Sequence, residues 1–147
     1  MSRIPRSLEY LKTGFTAEAV SAARFRAYAA QAEKDGRPNL ARRWQRLAAD
    51  KDALAVKLLG AAGQVRGEAA DLTSAIEDER YENDVLYPKI VRDLDQATSD
   101  VILQVLEAQK AHLRELEELR RALSSATGDV TLPAEVDQGI RSHESQG

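Results

Sequence analysis

Six polar side chains interrupt what are otherwise apolar helical rows in this 147-residue chain: Glu18, Lys51, Glu79, Glu82, Gln109 and His112. Glu79 and Glu82 stand three apart, as do Gln109 and His112, and residues so spaced share one face of a helix. Carboxylates and an imidazole converging on one level can hold a divalent cation or move protons. Lys51 brings the opposite sign, and an ammonium beside carboxylates can also be tuned into a base or nucleophile. Buried charges cost several kcal/mol each unless they are paired or bind metal. Three carboxylates against one Lys leave about two negative charges for protons, a cation or water to balance. Any one of these positions, taken alone, reads better as a seam margin reaching water. Six together, at most two per helix, point to a polar layer.

The elements that must position this layer follow from the punctuation. Asp35-Gly36-Arg37-Pro38 joins a helix-stopping glycine to a proline suited to a first turn, so a first helix spans about Ser7–Asp35 and a second about Pro38–Leu59. Gly60, Gly63 and Gly67 loosen the next link. A third helix runs to about Asp93, and Pro88 is expected to kink it. Residues 95–99 (DQATS) read as a short turn ending in N-cap residues, ahead of a fourth helix reaching about Ser124.

Three-four spacing gives each helix a seam. The first carries Leu8, Leu11, Phe15, Glu18, Ala22, Phe25, Ala29 and Ala32, and the second Leu40, Trp44, Leu47, Lys51, Leu54 and Leu58. The third carries Leu72, Ala75, Glu79, Glu82, Leu86 and, after a one-residue drift, Ile90. The fourth carries Ile102, Val105, Gln109, His112, Leu116, Leu119 and Leu123. The reading is an all-α, four-helix domain over residues 1–125 and a flexible tail over 126–147, with a docking segment around Val130–Val136.

Composition narrows the chemistry. With no Cys, the sequence has no disulfide, thiolate nucleophile or Cys-ligated metal. Only 5% of residues are aromatic and 4 are Pro, which favours helices over a β-sandwich. A net charge of −3 gives no general pull toward nucleic acid or anionic membrane. Arg42, Arg43 and Arg46 surround the seam residue Trp44 and read as a solvated face. His143 reads as an exposed spectator, and Tyr81 as a packing residue. Without a transmembrane-length apolar run or a signal peptide, the expected location is the cytoplasm.

Beyond these patterns, the chain resembles the rubrerythrin branch of the ferritin-like superfamily across roughly residues 8–123. GFTAEAVSAARFRAYAAQAEKDGRPNLARRW is similar to that family's first helix and turn, DLTSAIEDERYENDVLYP to its third helix, and AQKAHLREL to its fourth. The resemblance implies a ferritin-like four-helix bundle and, in intact members, a di-iron centre that reduces peroxide. Glu18, Glu79, Glu82 and His112 match metal ligands. Gln109 stands where a glutamate is usual, and Lys51 and Leu54 stand where Glu-x-x-His would fall. Tyr87 matches a tyrosine near the metals, Phe25 replaces another, and no rubredoxin module is present.

These departures make a two-iron centre and ordinary peroxidase activity unexpected. The preferred expectation is a metal-free structural or interaction protein whose Lys51, Gln109 and His112 pair the carboxylates. The alternative is one divalent ion (Fe, Mn or Zn) held by Glu79, Glu82, His112 and Glu18, with residual oxidoreductase activity. New catalysis by Lys51 is a third reading.

In the bundle so implied, the second and third helices run parallel. Their link must then return about 28 Å along the axis, whereas six extended residues reach ~20 Å. Either the helices form a simple up-down bundle, or two chains exchange hairpins in a homodimer. The exchanged form is the expectation here, each site combining Glu18 and Lys51 of one chain with Glu79, Glu82, Gln109 and His112 of the other.

Overall fold

The computed structural model describes residues 6–131. Helices α1 (Ser7–Lys34) and α2 (Pro38–Ala61) precede α3 (Glu68–Tyr81), a π-helical segment (Glu82–Leu86), α4 (Tyr87–Val91) and α5 (Gln96–Ser125). The described residues contain no strand, and no helix among them is long and apolar enough to cross a membrane. The chain divides into two compact units, Met1–Arg66 and Gly67–Gly147.

In the first unit, α1 and α2 form an antiparallel pair. Gly36 adopts φ 71° and lets the chain reverse. The Arg37 N–H donates to the Ala32 carbonyl and the Gly36 N–H to Glu33, closing the helix end before Pro38 opens α2. The same pattern ends α2, where Gln64 donates to Leu59 and Gly63 to Gly60. The pair is sealed by alanines: Ala22, Ala29 and Ala32 on α1, and Ala41, Ala48 and Ala55 at heptad spacing on α2, all nearly inaccessible.

This corrects the sequence reading of the second seam. Leu40, Leu47 and Leu54 precede those alanines by one residue and remain 44%, 40% and 48% exposed. A methyl lets two helices approach more closely than an isobutyl group, so the alanine row takes the contact and the leucine row lies beside it. At one end of the pair, Trp44 packs against Phe25 and Tyr28, with ring centroids 5.1 and 5.2 Å away. Arg26 donates to Asp52 at 2.7 Å across the helices.

In the second unit, α3 and its π segment pack against α5 around Ile76, Asn83 and Leu106. Pro88 has no N–H to give, and its ring would crowd the carbonyl four residues earlier. The helix widens just ahead of it: the Tyr87 N–H donates five residues back, to the Glu82 carbonyl. Arg80 donates to Glu117 at 2.8 Å and pins α3 to α5. The start of α5 falls earlier than expected. Asp95 is the N-cap, its Oδ1 accepting from the Thr98 N–H at 2.8 Å, so residues 96–99 are already helical. After α5, Val130 joins Leu72, Leu119, Leu123 and Glu68 around a cavity of about 250 Å³. Val136 and His143 lie outside the described residues.

Candidate polar site

The six polar positions fall into two groups, one in each unit. In the first unit, Glu18 on α1 and Lys51 on α2 meet across the helix pair, with Lys51 Nζ 2.9 Å from Glu18 Oε2. The side chains keep 24% and 32% of their surface, so the pair is neither dry nor freely solvated. The contact is close in distance without the alignment of a hydrogen bond. Leu54, three residues past Lys51, is half-exposed and offers no donor atom. Phe25 is partly buried within the aromatic cluster two turns further along α1.

In the second unit, Gln109 on α5 donates from Nε2 to Glu82 Oε2 at 2.8 Å. An amide here satisfies a carboxylate without adding a like charge. Glu79, one turn earlier, has its carboxyl raised above the usual range. Burial is the main cause and the charge of Glu82 the next; His112 pulls in the opposite direction, and Asp78 adds a smaller push upward. Glu79 therefore senses both Glu82 and His112, although the His112 side chain lies on an exposed margin of α5. Tyr87 is partly buried where the π segment returns to α-helix.

Sequence reasoning missed Asn83. It is 6% exposed, and neither Nδ2 nor Oδ1 has a hydrogen-bond partner. Glu79 Oε2 and Gln109 Oε1 are likewise enclosed without a partner. The available signal was spacing: Asn83 follows Ile76 by seven residues, which places it on the same inward stripe. Around Asn83 this unit thus brings together the two carboxylates Glu79 and Glu82, the latter supplied with an amide donor, and three side chains with unmet hydrogen-bonding capacity. Such groups are costly when dry and call for water or an incoming partner.

Among the described residues, no three His, Cys, Asp or Glu side chains gather into a group able to hold a metal ion. No protein-family model matches the chain, and no curated protein matches it.

Proposed function

We propose that this chain is a rubrerythrin-like, ferritin-like helical protein in which an internal cation has taken over from a metal centre. It acts as a structural or interaction protein of the cytoplasm, not as a peroxidase. The observation that carries this reading is the 2.9 Å approach of Lys51 Nζ to Glu18 Oε2. An ammonium held on that carboxylate supplies the positive charge a ligated metal would bring, and it repels a metal arriving there.

The remaining substitutions point the same way. Gln109 directs its amide to Glu82, and Leu54 has no lone pair to offer. Burial, with the charge of Glu82 beside it, holds the Glu79 carboxyl above its usual range. These residues do not suit a two-iron centre. A second reading, which the family resemblance alone supports, is one Fe, Mn or Zn ion on Glu79, Glu82 and His112 with Glu18.

Elemental analysis of the purified protein, followed by titration with Fe(II), Mn(II) and Zn(II), separates the two. The metal-free reading expects no retained equivalent; one tightly held equivalent overturns it in favour of the single-ion site. The triple variant Lys51→Glu, Leu54→His, Gln109→Glu is expected to regain uptake of two metal ions. If it folds yet takes up none, the placement of the ancestral site is wrong.

A further inference from the structure

The overall charge of −3 conceals a division. Residues 1–66 hold 13 of the 21 Lys and Arg but only 6 of the 24 Asp and Glu, so the first unit carries +7 and residues 67–147 carry −10. Within the first unit the excess gathers about the turn between α1 and α2, where residues 24–46 contain seven cations and two carboxylates. Six of the seven are Arg. Arg26 is taken by Asp52. Arg24, Arg37, Arg42, Arg43 and Arg46 are exposed, and among the described residues none of them pairs with a carboxylate. Even Asp50, one turn beyond Arg46, leaves it unpaired.

Local stability opposes this placement. Arg42 and Arg46 are four apart and Arg43 and Arg46 three apart, so like charges crowd one face of α2. They follow an opening turn without an acidic residue, at the end where the helix dipole is already positive. A stretch that works against its own helix in two ways, with no compensating partner in the folded hairpin, is the kind of place where function sets the sequence. Beside it stands Tyr28, one turn after Arg24 on α1. Its ring is 45% exposed yet held by Trp44 and Phe25, with centroids 5.2 and 6.2 Å away. Tyrosine and arginine are the side chains that most often carry binding energy at protein interfaces.

We propose that this end of the α1–α2 hairpin docks an acidic segment of another protein. Each guanidinium can take a carboxylate through two parallel N–H···O bonds, and the open edge of Tyr28 receives an apolar side chain set among the acids. From Arg37 to Arg46 the helix rises about 14 Å, so a segment of about ten helical residues covers the row. The −10 of the second unit favours so short a partner over nucleic acid, because a long polyanion is repelled by that like charge. This names a partner for the interaction protein proposed above and rests on that reading.

The chain's one Trp, Trp44, lies in the aromatic cluster and reports on it. A peptide of four Glu-Glu-Leu repeats, titrated into the full-length protein at low salt, is expected to bind saturably by Trp44 emission and by calorimetry. Arg43→Glu with Arg46→Glu should weaken it at least ~tenfold. Lys12→Glu with Lys57→Glu makes the same change of charge at the other end of the hairpin and should weaken it far less. Absence of binding to the wild type overturns the proposal, as does equal weakening by the two double reversals. A single-stranded oligothymidine of matched charge that binds more tightly than the peptide also overturns it, assigning the arginines to nucleic acid.

If a reversed chain loses its helical signal, Arg43→Gln with Arg46→Gln replaces it under the same expectation. Metal analysis of the same samples keeps the two readings apart. Protein that holds metal and binds the peptide sinks the metal-free function and leaves the partner, whereas metal-free protein that ignores the peptide does the reverse.

Discussion

Lys51 Nζ sits 2.9 Å from Glu18 Oε2 on the neighbouring helix, and both side chains retain about a quarter to a third of their surface. That intermediate setting fixes the scale of the interaction. A fully wet pair contributes about 0–1 kcal/mol, while stranding one member of a dry pair costs roughly 3–5 kcal/mol.

Lys51→Met and Glu18→Gln are each expected to lower stability by about 1 kcal/mol, between those limits. The double variant should lose less than the sum, with a coupling of about 0.5–1 kcal/mol in a urea-unfolding cycle. Strict additivity would show that the two charges do not interact in solution.

Glu79 and Asp95 pull the pH profile in opposite directions. The carboxyl of Glu79 is raised by burial and by Glu82, so the native state binds its proton more tightly than the unfolded state does. Its ionisation therefore costs stability as pH rises through and above the usual glutamate range. Glu79→Gln should raise Tm at neutral pH and flatten the profile between neutral and mildly acidic pH. Asp95 is lowered by its bonds from Thr98. Its contribution is present above the ordinary aspartate range and fades as pH falls through its own lower value, so Asp95→Ala should matter at neutral pH and not in strong acid. Thermal melts across the acidic range check both signs.

Gln109→Glu removes the amide donor from Glu82 and sets a third carboxylate beside Glu79 and Glu82. A loss of about 1–2 kcal/mol at neutral pH is expected, recovered on mild acidification as one carboxyl takes a proton. Chemical denaturation at two pH values would reveal it, and a pH-independent loss would count against the electrostatic cause.

Adjacent residues on α2 should behave differently. Ala48 is buried against α1, and Ala48→Leu is expected to pry the helices apart at a cost of about 1–3 kcal/mol. Leu47→Ala should cost much less within the hairpin, because Leu47 is already 40% exposed. Comparing the two melts shows which row seals the pair.

Much of the helical layout was legible because its signals are local. Gly36 before Pro38, and the glycines after α2, set chain reversals by their own backbone preferences. The polar positions are legible as interruptions, and the sequence offers Lys51 as a partner for Glu18 or another carboxylate and Gln109 as a partner for a carboxylate it does not single out; the structure pairs Lys51 with Glu18 and Gln109 with Glu82. What escaped was facing. Period alone does not tell the row at 40, 47 and 54 from the row at 41, 48 and 55. Helix spacing decides between them, and spacing is a property of the pair. Local composition places Asp95 in a turn, whereas its side chain caps α5. The drift before Ile90 was visible as an irregularity, yet only the coordinates show it as a widened turn.

That turn carries one residue more than an ordinary coil, and Pro88 follows it directly. The surplus residue and the imino acid are therefore a matched set. Deleting one position within 82–86 would restore a uniform spiral but drive the ring of Pro88 into the backbone above it. Replacing Pro88 alone would leave the chain free to tighten and swing Ile90 about 100° around the axis.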